Sequence, residues 1–349
     1  MKPQTTLEWG FFSVAAGQAA LVTALQITVL VRYLDWVNPV VYQVPVSYVV
    51  PLTLAVSLLG CYFQVVVTLD SCRIKNTIQI WVQCIINICL SVAAGMQYLQ
   101  AKDVVDRIIP GHDMYGTPFA KLERPFWKEA RPLLLGCLVI LSACSLLMCV
   151  LACYLHVEFA WSLYEHISPD IKMKARHQRY QAYLVFLKVE VLFVILFVVI
   201  YGLIQVHYQQ PEFGLTMAII PTSLIHGVLA TYFMRSENKK GVALIVAVHI
   251  GIVAYLASRL VLLCGDGVVS RSWMKGEMTL LAVFGLVFNT VSAIAAVICV
   301  LNFDQGLKPL LQGQAANRPT AYEAEMNDLQ NPSIPIAPPE RVSRRFNID

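Results

Sequence analysis

The chain has 349 residues, 57% of them hydrophobic and 14% charged, with a formal net charge of +4. A mean hydropathy of +0.62 excludes an ordinary soluble domain, which is about one-quarter charged. The small charge is spread over loops and gives no footprint for nucleic acid. Ten cysteines are no disulfide framework, because Cys61, Cys84, Cys89, Cys137, Cys144, Cys149, Cys153 and Cys299 fall inside apolar runs, where they act as small hydrophobes.

Eight runs are long enough to cross ~30 Å of hydrocarbon at ~1.5 Å per residue: about 11–31, 47–69, 78–99, 133–155, 182–206, 213–233, 242–264 and 279–301. The expected fold is all-α, a polytopic transmembrane helix bundle. Residues 1–10 form a short N-terminus, 11–301 the bundle, and 302–349 a disordered tail. The first run is too long and poorly flanked for a cleaved signal peptide and reads as a signal anchor. Pro51 and Pro221 lie inside the second and sixth spans, where each removes a backbone donor that neighbouring helices must compensate for. Cys72, at the edge of the second span beside Arg73 and Lys75, is a palmitoylation candidate as well as a structural cysteine.

The third span carries Gln79, Gln83, Asn87 and Ser91, four residues apart and hence on one helical stripe. The 100–132 loop follows, and its Tyr115, Phe119, Phe126 and Trp127 are expected to rest on the membrane face. Its His112 and Asp113, beside glycine and proline, read as a turn. Between spans four and five, residues 156–181 suggest an interfacial helix to about Ile167, with Trp161 and Tyr164 at headgroup level and Pro169 near its end.

The fifth span contains both Lys188 and Glu190. Its eighteen Leu, Ile, Val and Phe residues favour insertion by about 5–11 kcal/mol, against about 5–7 for two central charges. The span inserts, but its charges need partners. Two positions apart is about 200° around a helix, so they do not face each other. His226 and His249 lie at similar depth on the sixth and seventh spans, as does Gln18 on the first. The expectation is a polar cluster of Lys188, Glu190, His226 and His249, with Gln83 and Asn87 beside it, in the cytosolic half of the membrane. It reads as a solute or proton pathway. The packing alternative has Lys188 snorkelling to the headgroups and Glu190 paired with His249. Arg259, near the luminal end of the seventh span, is expected to snorkel, and Asn289 to make an interhelical hydrogen bond.

Basic residues concentrate in the N-terminus and the 70–77, 156–181 and 234–241 loops, which places both termini in the cytosol. No Asn-x-Ser/Thr sequon occurs, since Asn331 precedes proline. The tail is proline-rich and has little to bury, and Arg341, Arg344 and Arg345 around Ser343 mark a candidate phosphorylation or lipid-surface patch. No HExxH, GxSxG, P-loop or CxxC motif is present, so no enzyme, cofactor or metal is expected.

Arg179, Tyr180 and Tyr183 lead into an apolar helix with Lys188, an acid two residues later, and Phe193. This run resembles an uncharacterised fungal family of multi-pass Golgi apparatus membrane proteins, with Glu190 where that family more often has aspartate. The resemblance implies residence in the Golgi membrane and carries no catalytic or transport residues with it. Two functions follow as expectations. One is a transporter of a small solute or proton through the polar cluster; the other is a non-transporting scaffold or trafficking factor whose tail recruits cytosolic partners.

Overall fold

A computed structural model describes residues 5–303 apart from 122, 124, 167–170, 207–209, 268–271 and 273. Of residues 42, 43, 160–166 and 171–174 the backbone alone is described. The tail and its arginine patch, with Pro169 and Arg271, lie outside the described residues, as do the side chains of Trp161 and Tyr164.

The helices are α1 (Thr6–Trp36), α2 (Val46–Ile74), α3 (Thr77–Ile108), α4 (Phe126–His166), α5 (Ile171–Gln205), α6 (Glu212–Arg235), α7 (Lys239–Cys264) and α8 (Lys275–Val300). A short 3-10 helix, Pro39–Gln43, joins the first two. Eight helices among the described residues are long and apolar enough to cross a membrane, as composition requires. Asparagines start two of them by accepting from helical N–H groups. Asn76 Oδ1 takes the Ile78 N–H at the start of α3, and Asn238 Oδ1 takes the Gly241 N–H at the start of α7.

The packing forms two four-helix rings. In the first, α1 packs on α2 and α4, and α3 on α2 and α4. In the second, α5 packs on α6 and α8, and α7 on α6 and α8. The rings meet through far less extensive contacts of α2 and α3 with α5, and of α3 with α8. A narrow slot of about 40 Å³ lies between α2, α3, α5 and α8. Large apolar side chains such as Leu99, Val139, Leu146, Leu215 and Val228 point outward, where lipid replaces water as the solvent. Close approach needs small residues: a Cβ on Gly60 of α2 would sit 2.6 Å from Leu90 Cδ2 of α3.

Pro51 shows how the bundle absorbs a helix breaker. Its missing N–H frees the carbonyl four residues earlier, that of Ser47. Tyr33 Oη of α1 donates to that oxygen at 2.9 Å. A neighbouring helix thus restores the lost bond.

Several expectations are corrected. No separate interfacial helix follows the fourth span: α4 runs on to His166, because nothing before Pro169 interrupts the helix. At 41 residues it is about 60 Å long, beyond the hydrocarbon thickness. Helix α3 continues to Ile108, so the following connection is shorter than 100–132. Phe126 is core rather than interfacial, stacked on Trp36 at 5.0 Å, and Trp127 lies against Tyr98. Tyr115 is exposed. His112 sits in a turn, its Nδ1 2.9 Å from the Pro110 carbonyl. Cys72 is buried and so is not presented for acylation, and all ten cysteines are unbonded among the described residues.

Candidate functional site

Helix α5 is central, and its two charges face different rings. Lys188 forms an ion pair with Asp70 of α2, in the first ring. Glu190, about 200° further round, enters the second ring and is buried, at 1% exposure. The spacing that ruled out an internal pair therefore sends each charge to its own partner. Lys188 reaches along α5 to a carboxylate at the end of the second apolar run.

Around Glu190 three other helices each supply one polar side chain. His249 of α7 places Nδ1 3.0 Å from Glu190 Oε1. His226 of α6 places Nε2 3.9 Å from the same oxygen. Asn289 of α8 donates from Nδ2 to Glu190 Oε1 at 3.0 Å. The two imidazoles meet edge to face, with centroids 4.7 Å apart. All four residues are buried. Despite the proximity, both ring nitrogens of His226 and His249 lack a hydrogen-bond partner, as do Glu190 Oε2 and Asn289 Oδ1. The short His249–Glu190 distance is thus a close approach without hydrogen-bond alignment. Glu190, His226 and His249 can each turn one donor atom to a common point, those atoms lying within 4.8 Å of one another.

His226 also lines an open groove of about 400 Å³ between α5, α6 and α7, with Ser223 and Thr222 one turn away. The groove extends to Leu215 near the start of α6 and Tyr255 of α7. Since α6 begins on the membrane face opposite Thr6, the groove runs towards that face.

Of the six residues expected to cluster, the structure brings Glu190, His226 and His249 together and places the other three elsewhere. Lys188 belongs to the pair with Asp70. Gln83 Nε2 donates to the Gln64 carbonyl at 3.3 Å. Asn87 and Gln18 exchange two side-chain amide bonds, of 2.8 and 3.1 Å. Equal depth in the membrane did not mean proximity, because these residues sit on different rings. Asn289 makes the interhelical bond expected of it. Arg259 is held by Tyr201 and Tyr255, with both ring centroids at 5.2 Å and Tyr201 Oη accepting from Nη1 at 3.2 Å.

Sequence reasoning missed Asp70, Gln64 and Glu277. Asp70 falls just past the second apolar run. Glu277 falls just before the eighth, yet it is buried in the wall of the slot between the rings. For Asp70 and Glu277 the available signal was a charge beside a predicted span end, on a helix that continues past it; for Gln64 it was an amide inside the second apolar run.

A comparison with curated proteins finds a UPF0658 Golgi apparatus membrane protein of Schizosaccharomyces pombe, 22% identical over 278 residues that cover 74% of this chain and 77% of the relative. No family model matches the chain, and no solved structure does. The match over most of both chains bears out the resemblance read from the fifth span, to an uncharacterised fungal family of multi-pass Golgi apparatus membrane proteins.

Proposed function

We propose that the chain is a Golgi membrane transport protein that binds a small cation at Glu190, His226 and His249. The observation carrying this reading is the set of unpartnered buried donors. Glu190, His226 and His249, from three helices, each bring one donor atom to within 4.8 Å of the others, and neither imidazole makes a hydrogen bond through either nitrogen. A carboxylate buried in a membrane is costly unless a charge compensates it. Lys188, the nearest basic residue along α5, is engaged with Asp70. A bound cation would supply the missing charge, and the groove ending at His226 would give it a route. The Golgi location of the relative and the basic-loop asymmetry support residence in that membrane with both chain ends in the cytosol. The activity proposed is transport, with no chemical conversion.

The test is cation-driven current in proteoliposomes of the full chain, with potassium, ammonium, small organic amines and divalent ions applied in turn. At least one should give a current that Glu190→Gln removes. Absence of current with every cation overturns the reading.

A further inference from the structure

We infer that the Glu190–His226–His249 centre is a binding site for a divalent transition-metal ion of the zinc type. This rests on the cation reading above and names the class of ion. Each alternative cation needs a different donor set. Calcium takes about six to eight oxygens and magnesium a near-octahedral oxygen shell. Here one carboxylate and two imidazoles converge, and imidazole suits zinc, copper, iron and nickel. Two histidines and one carboxylate match a recurring three-ligand zinc set in which the fourth position stays open. In a closed structural site a fourth protein ligand would fill that position.

The geometry fits with small adjustment. The donor atoms lie within 4.8 Å of one another, whereas ligands bonded at about 2.0–2.2 Å in a tetrahedral shell stand roughly 3.4 Å apart. The widest pair must close by roughly 1.4 Å, within reach of side-chain rotation. Both nitrogens of each ring lack hydrogen-bond partners, so either can turn inward without breaking a bond. Glu190 is pre-oriented, because Asn289 Nδ2 donates to its Oε1, the oxygen that both imidazoles approach and whose second lone pair is left for the ion. Such outer partners hold ligating carboxylates in place. The donors come from α5, α6 and α7, so a bound ion would tie three helices of the second ring together. The groove reaches His226, which gives the open position its entry path.

Cobalt(II) alone is a suitable probe of the purified full-length chain, because its spectrum separates nitrogen and oxygen ligands from thiolates and ten cysteines are present. We expect one cobalt per chain, with the visible bands of a four-coordinate nitrogen–oxygen site and no sulfur charge-transfer band. Cobalt should raise the melting temperature of the wild-type chain and magnesium should not. His249→Ala should weaken binding at least about 100-fold and Asn289→Ala about 10–100-fold, in variants that elute like the wild type. The inference is overturned if the folded wild type binds no stoichiometric cobalt, if a sulfur band dominates, or if a His226→Ala/His249→Ala chain binds as the wild type does. The wild-type measurements decide even where a variant fails to fold. Glu190-dependent potassium or ammonium current without cobalt binding would sink the metal inference and leave the cation reading standing. Cobalt binding without any cation current would do the reverse.

Discussion

In the first ring, Gln18, Gln64, Gln83 and Asn87 meet near the axis, and each makes at least one hydrogen bond to another helix. Asn87 and Gln18 bond reciprocally, Gln18 reaches Gln64, and Gln83 reaches the Gln64 carbonyl. A second layer repeats the device, with Gln26 Nε2 donating to Ser57 and Gln97. In the second ring the polar centre is one carboxylate and two imidazoles whose ring nitrogens are unbonded. Neutral amides carry donors and acceptors together and can satisfy one another. A glutamate with two histidines offers charge and metal-ligating nitrogens instead. Burial alone does not mark a functional group in a membrane bundle; what separates the two centres is how much of their bonding capacity is used, since each amide side chain keeps at least one hydrogen bond although Gln26 Oε1, Gln83 Oε1 and Gln97 Nε2 have no partner, whereas neither histidine ring makes any.

The sharpest test of that contrast is Glu190→Gln, which keeps shape and removes charge. Breaking a buried charge pair costs about 2–5 kcal/mol of binding, so cation current should fall by more than tenfold. The fold should hold in the ion-free protein, because there Glu190 is a buried charge without a compensating one and its neutralisation relieves a desolvation cost. A lower melting temperature with unchanged current would turn the comparison around and make Glu190 a packing residue.

The first ring should respond in the opposite way. Asn87→Ala deletes both amide bonds to Gln18 and leaves its Oε1 buried without the Asn87 donor, a cost of about 1–3 kcal/mol. Thermal unfolding followed by size-exclusion chromatography should show the loss, while current per folded chain stays at the wild-type level. A current lost together with Asn87 would return it to the functional cluster that the sequence suggested.

Much of this was legible in the residues. Eight apolar runs gave eight helices, and Glu190, His226 and His249 were singled out as ionisable groups inside spans. The spacing of Lys188 and Glu190 showed that they face apart. Which ring each polar residue belongs to was not legible, because depth along a helix says nothing about neighbours around it. Gln83 and Asn87 share a depth with the second-ring centre and belong to the first. The tyrosines that hold Arg259 were not legible either, because nothing in the sequence places Tyr201 beside Tyr255. The compensation of Pro51 by Tyr33 likewise depends on α1 crossing α2 at that turn. Tyr33→Phe tests it: with Ser47 left without its donor, stability should drop by about 1 kcal/mol. An unchanged melting temperature would mean that the α2 backbone relaxes on its own.

The smallest expected effect concerns the join between the rings. Lys188 and Asp70 form an ion pair across it, with side chains 36% and 35% exposed. Partly exposed pairs contribute little, because solvent screens them and ordering two side chains has an entropic cost. A double-mutant cycle with Lys188→Met and Asp70→Asn should therefore give a coupling below about 1 kcal/mol. The other contacts across the join, from α2 and α3 to α5 and from α3 to α8, are much less extensive than those inside either ring. A small coupling would leave the rings held by a limited apolar seam, so that each centre could be changed without disturbing the other. A coupling of several kcal/mol would make the ion pair a principal tie between them. Changes at Glu190, two residues along the same helix, would then have to be read through the first ring as well.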